Sequence, residues 1–230
     1  MSEIVAVIPI KRHSERVASK NIRPFADTTL FELKLQQLKP VDGFVSKVVA
    51  SEDDEILEIA TSYGFEVLKR NPYYSTSHVP MSEVYSYIGS NVEGQFIAWI
   101  NVTNPLAETE VYERALRKFD EVKDHDIDCF LSVWELKENI FFQGKPVNFQ
   151  PYPWPRSQDL QDCYAMSFII NISSREDLIA WGSCVGEKPY FYILDSLTST
   201  DIDFEEDFQL CEAVYKERKR NGLSREQQRG

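Results

Sequence analysis

Asp201 and Asp203 stand at i and i+2 in LDSLTSTDIDF (194–204), directly after a segment read as a strand. Two carboxylates at that spacing can hold Mg2+ together with water and substrate phosphate oxygens. A local account competes. Asp203 and Glu206 have the spacing of a capping box for the last helix, which leaves Asp201 as a turn residue. Near the other terminus the chain reads AVIPIKRHSERVASKNIRPF (6–25). An apolar run stops at Pro9, and Lys11, Arg12, Arg16, Lys20 and Arg23 follow within the next fourteen positions. Arginine forks and lysine ammoniums neutralise phosphate oxygens, and backbone amides in a turn add an anion nest. The segment holds no glycine to let the backbone approach an anion closely, so a solvated basic loop is the other account.

Two further arginines invite chemistry. Arg156 in PRSQD (155–159) can clamp a carboxylate bidentately, or pair with Asp159 on the surface. Arg70 in VLKRNP ends a strand and points towards the same predicted edge as the basic segment; it can equally be a solvated charge. Cys129, Cys163, Cys184 and Cys211 show no CxxC pairing, and His13, His78 and His125 share no ligand spacing. Buried free thiols are expected rather than a zinc site or a disulfide framework. No Ser-His-Asp or Cys-His triad is legible.

The elements that must position these residues alternate between strand and helix. Strands are expected at 3–10, 47–51, 65–70, 95–100 and 128–136, and a further one across AMSFIINIS. Helices are expected at 30–39, 53–64, 81–92 and 108–122. Such alternation predicts an α/β fold with a largely parallel sheet covered on both faces. Ligands then bind at the carboxyl ends of the strands, near a switch in strand order. The basic segment, INVTNPL (100–106) and LDSLTSTDIDF all follow expected strands, so they can converge on one cleft. Residues 137–173 break the rhythm with an aromatic and proline-rich stretch. It reads as an excursion that makes a homodimer contact, or as a loop packed on its own domain. The charged tail after 215 is expected to fray.

The 230 residues, 43% hydrophobic and 27% charged, suit one domain over 1–230 with a buried core. The net charge of -12 argues against nucleic acid or an anionic membrane as partner, while leaving room for a local anion site. No stretch approaches the roughly 20 apolar residues that span a bilayer, and the first strand is no signal peptide. The chain is read as cytoplasmic.

In this order the segments resemble the acylneuraminate cytidylyltransferase family, the CMP-sialic acid synthetases. IPIKRHSERVASKN is similar to the family's I-P-A-R-G-G-S-K-G-I-P-x-K-N, with Pro9, Ser14, Lys20 and Asn21 on their counterparts. ASEDDEILEIATSYGFEVLKR, INVTNPL, RSQDLQDCY and DIDFEEDFQLCEA resemble four further family segments. The resemblance implies a three-layer Rossmann-like nucleotidyltransferase fold. It also implies attack of a sugar's anomeric hydroxyl on the α-phosphate of CTP, with release of pyrophosphate. The sugar would be a 3-deoxy-2-keto acid such as a nonulosonate. Lys11, Lys20 and Asp203 would carry the catalysis. Pro9, Ser14, Asn21, Arg70, Ser82 and Asn101 would join Lys11, Arg12, Arg16 and Lys20 around the nucleotide. Asn101, Arg156, Gln158 and Tyr164 would face the acceptor, and Asp201 with Asp203 would hold Mg2+. The chain departs from the family at the two loop glycines, replaced by Arg12 and His13. It departs again at Lys11, Asn101 and MSFII (166–170). These departures keep open an octulosonate or phosphonate acceptor, and a non-catalytic nucleotide-sugar-binding homologue.

Overall fold

A computed structural model describes residues 2–12, 14 and 17–227, with side chains to 221. In chain order the elements are β1 (Ile4–Pro9), β2 (Pro24–Phe25), β3 (Thr28–Thr29), α1 (Leu30–Leu38), β4 (Phe44–Ser51), α2 (Asp54–Ser62) and β5 (Glu66–Lys69). There follow α3 (Met81–Ser90), β6 (Phe96–Trp99), α4 (Thr109–Val122), β7 (Cys129–Leu136), β8 (Phe141–Phe142) and β9 (Lys145–Pro146). The chain continues through β10 (Cys163–Ser174), α5 (Arg175–Trp181), β11 (Pro189–Leu194) and α6 (Glu205–Gln227).

The continuous apolar run of β1 explains its place. It pairs in parallel with β4 on one side and β6 on the other, with both of its faces buried. Ile4, Ala6 and Ile8 face a core shared with α1, α2 and α4, while Val5 and Val7 face one shared with α3 and α5. Three layers result. The seven-stranded sheet has the order β11-β7-β10-β6-β1-β4-β5. Strand β10 runs antiparallel to β6 and β7, and the remaining neighbours run parallel. From β1 the chain first builds outwards through β4 and β5, then returns to place β6 on the opposite side of β1. The carboxyl ends of β1 and β6 therefore flank the switch in strand order, where α/β sheets open a crevice.

Local signals fix the helix starts. Thr29 caps α1, its hydroxyl accepting from the Glu32 N–H, and Asp53 caps α2 by accepting from the Ile56 N–H. The excursion is shorter than the 137–173 expected. Residues 163–174 form β10, inside the main sheet, so only 137–162 leave it, carrying the β8–β9 hairpin. Helix α5, capped by Ser174, has no counterpart among the sequence expectations.

The C-terminal helix α6 packs Phe208 and Cys211 against Phe25, Leu30 and Leu33, closing a smaller core outside α1. Its first turn is tied by Asp207, whose carboxylate accepts from the Asp203 and Phe204 N–H groups. A carboxylate reaching back at this helix start is therefore Asp207, three residues after Phe204. Among the described residues no helix is long and apolar enough to cross a membrane.

Candidate active site

The crevice at the switch point holds a cavity of about 400 Å3. The loop after β1 supplies Pro9, Ile10, Lys11, Ser14, Lys20 and Asn21. Arg70 and residues 74–76 enter after β5, Val79, Met81 and Val84 from the start of α3, and Trp99 and residues 101–103 after β6. Of the residues singled out in the sequence, Pro9, Lys11, Ser14, Lys20, Asn21, Arg70 and Asn101 are thus brought together. Tyr74, Ser75, Thr76, Trp99 and Thr103 were not anticipated, although all follow or end parallel strands on the crevice side.

The basic loop meets its geometry without glycine. Ser19 adopts the left-handed conformation, φ 49°, and its carbonyl accepts from the N–H groups of Ile22 and Arg23. A non-glycine residue there costs about 1–2 kcal/mol. The turn delivers Lys20 and Asn21 into the interior, both largely buried. The Lys20 ammonium donates to the Ile202 carbonyl, joining the basic loop to the acidic loop. Asn21 donates through Nδ2 to the Lys11 carbonyl at 3.2 Å.

Arg70 is 5% exposed and donates from Nη2 to the Ile10 carbonyl and to Glu52, each at 2.9 Å. Among the described residues, Arg70 Nε, Asn21 Oδ1 and Asp201 Oδ1 are buried here without a protein partner. Such atoms can serve a polar ligand, and Arg70 and Asn21 both line the cavity.

Asp201 is not part of the cavity wall but lies beside it, within reach of the Thr103 hydroxyl and the Lys20 charge. Burial raises its pKa above the ordinary carboxylate value; the Thr103 hydrogen bond and Lys20 oppose this, and neighbouring Asp203 adds to it. Ile202 N–H donates to the Thr103 carbonyl, and Asn104 donates to that of Thr200, so the acidic loop is sewn to the loop after β6. Among the described residues no group of three or more His, Cys, Asp or Glu side chains could hold a metal. Two carboxylates, one with an unpartnered buried oxygen, fit a hard cation that keeps water and phosphate oxygens as its other ligands.

Five expectations place differently. Arg12 turns away from the cavity: its guanidinium donates to both oxygens of Asp53, at 3.1 and 3.0 Å, and to Glu55 at 2.6 Å. The acidic first turn of α2 draws it off. Ser82 lines a separate groove with Glu83, Tyr87 and Trp181. Arg156 is 72% exposed and grips Asp159 with two bonds, at 2.6 and 2.9 Å, which realises the surface pairing. Gln158 lies exposed in the short turn Ser157–Asp159. Tyr164 sits on β10 against Phe191, ring centroids 5.2 Å apart, and does not line the cavity. Arg16 lies outside the described residues.

One charged group behind the site went unanticipated. Lys34 on α1 is 0% exposed and donates to the Asn104 carbonyl at 3.0 Å, with its Nζ also against the Tyr112 hydroxyl. Burial lowers its pKa to about 7, opposed by the charge of Asp201. The unfolded chain then holds a proton that the folded chain releases, so this group adds stability as pH rises from about 7 towards 10.5. Between pH 8 and 9.5 the wild type is expected to gain on Lys34→Met by about 1 kcal/mol per pH unit in denaturant unfolding. Parallel pH profiles for the two proteins would show that Lys34 keeps its proton in the fold.

A mainly parallel sheet with a cation-lined cavity at its switch point defines an α/β protein with a crevice suited to an anionic ligand. The family model described as cytidylyltransferase matches residues 5–221, and the chain belongs to that family. Post-translational flagellin modification protein B of Campylobacter coli is 27% identical over 95% of this chain and 97% of its own length. Pseudaminic acid cytidylyltransferase of Campylobacter jejuni is 24% identical over 92% of this chain and 96% of its own. The structure of CMP:2-keto-3-deoxy-manno-octonic acid synthetase complexed with CTP superposes with a TM-score of 0.71 at 13% identity, covering 94% of this chain and 100% of that one. The chain is accordingly a nucleotidyltransferase of the cytidylyltransferase family.

Proposed function

We propose that the chain transfers CMP from CTP to the anomeric hydroxyl of a 3-deoxy-2-keto sugar acid of the nonulosonate class. The observation that carries this reading is the crevice itself: Lys11, Lys20 and Arg70 surround a cavity with unpartnered polar atoms, and Asp201 lies beside it. A relative named for pseudaminic acid supports an acidic sugar as acceptor.

Lys11 and Lys20 bind the triphosphate and neutralise its charge, while Asn21, Asn101 and Arg70 orient the nucleotide. The sugar oxygen bonds to the α-phosphorus, its proton goes to solvent, and the bond to the bridging oxygen breaks. That oxygen leaves with its electron pair as pyrophosphate. Asp201 and Asp203 would hold Mg2+, which would supply countercharge to the phosphate oxygens. Arg156, Gln158 and Tyr164 lie off the cavity within one chain. The acceptor carboxylate therefore depends on rearrangement of the 137–162 excursion or on a second subunit. Exposed Phe141, Phe142, Tyr152 and Trp154 support a homodimer contact there, which light scattering of the purified chain would read directly.

The test is pyrophosphate release with CTP, Mg2+ and a panel of nonulosonates, 3-deoxy-octulosonate and phosphonates. Turnover on a nonulosonate is expected. Turnover confined to an octulosonate or a phosphonate replaces the acceptor class. CTP binding without turnover on any acceptor favours a non-catalytic homologue.

A further inference from the structure

Glu52 lies between the end of β4 and the start of α2, and it does not line the cavity. Its carboxylate nevertheless touches three of the segments that do. Oε1 accepts from the Arg12 N–H at 3.2 Å, in the loop after β1. Oε2 accepts from Arg70 Nη2 at 2.9 Å, at the end of β5, and from the Ser75 hydroxyl at 2.7 Å, in the turn Pro72–Ser75. Lys11, Arg70 and Ser75 are the cavity residues of those segments. Glu52 is also the one carboxylate paired with Arg70 among the described ion pairs.

A buried guanidinium without a counter-ion would attract any small anion in a low-dielectric crevice. Pyrophosphate, the product of the proposed reaction, is such an anion. We propose that Glu52 is a positioning residue of the nucleotide cavity that joins three of its walls and cancels the charge of Arg70. Arg70 then presents hydrogen-bond donors rather than a free cation, and the attraction for phosphate rests with Lys11 and Lys20. The consequence is a site that discriminates a nucleotide from a bare polyphosphate and lets pyrophosphate leave. This inference rests on the nucleotide reading above.

Glu52→Gln keeps the shape and one acceptor but removes the charge. Its Nε2 then faces the Arg12 N–H, so some stability is lost, which a melting curve reads. The measurement is calorimetric affinity for inorganic pyrophosphate and for uncharged cytidine, in wild type and variant. Pyrophosphate should bind roughly tenfold tighter to Glu52→Gln, with cytidine changed by less than about threefold. Pyrophosphate should also become a correspondingly stronger product inhibitor.

A purely structural role would move both affinities together, and that result, or no change in either, overturns the proposal. Glu52→Ala, which removes the bridging acceptor as well, should weaken cytidine binding too; unaltered cytidine binding there would refute the joining of the walls. If wild type binds both ligands and the ratio shifts as expected while no acceptor turns over, the transfer reading fails and the role of Glu52 stands. If wild type binds neither ligand, both readings fall.

Discussion

Lys20→Ala is expected to reduce CTP turnover by about two to three orders of magnitude, the scale seen when one preorganised donor to developing charge is removed. Lys20 is largely buried, donates to the Ile202 carbonyl and lies within electrostatic reach of Asp201. Its ammonium therefore does two things. It supplies positive charge to a crevice in a protein of net charge -12, and it holds the acidic loop against the basic one. Both are lost together, so CTP affinity by calorimetry should fall with turnover. Lys20→Met, which keeps the aliphatic volume, should recover the melting temperature but not the affinity. Unchanged CTP affinity in Lys20→Ala would return the basic segment to a solvated loop.

Asp201→Asn is expected to lower turnover at least about a hundredfold while leaving the melting temperature unchanged or higher. The two halves of this expectation share one cause. Burial, with Asp203 adding to it, raises the Asp201 pKa. A carboxyl whose folded pKa lies above its unfolded value binds its proton more tightly in the fold. Its ionised form therefore subtracts stability at neutral pH, and that subtraction shrinks as pH falls below the raised value and is gone below the unfolded one. Asparagine removes the subtraction at every pH, and with it the charge that would meet a cation. Rate and melting temperature should thus move in opposite directions, as at sites where function is kept at the expense of stability. A variant that keeps its rate and loses stability would make Asp201 a turn residue.

The sequence made the scaffold legible wherever a local rule decides. The apolar run of β1, the acidic first turn of α2 and the apolar stripe of α4 each specify type and position, and each appears within a few residues of expectation. Strand β10 was expected across AMSFIINIS, but not its irregularity: the pairing register shifts between Met166 and Asn171, and Phe168 takes φ 53°. There the Phe168 carbonyl accepts from the Asn101 N–H, a contact that no local pattern announces.

The site divided in the same way. Convergence of the three post-strand loops followed from topology. Which of two adjacent cations turns inwards did not. Lys11 lines the cavity while Arg12 is held by acidic residues some forty positions later in the chain. Arg156 illustrates the opposite case, since its partner lies three residues away and the pairing was readable. Lys34 was readable too: it falls at i+4 from Leu30 and at i−4 from Leu38, on the buried stripe of α1. A pattern that counts only apolar residues passes over it.

The bond between Lys20 and the Ile202 carbonyl spans 182 positions of chain. The basic loop, the loop after β6 and the acidic loop are thus supplied early, midway and late as the polypeptide emerges from the ribosome. Synthesis proceeds at about 5–20 residues per second, so β1, β4 and β6 are made several seconds before the acidic loop. During that interval the cationic residues of the crevice and Glu52 are already made, while Asp201 and Asp203 are still to come. Fragments ending before residue 201 keep the cationic wall without the acidic loop, so they should retain polyphosphates without converting them.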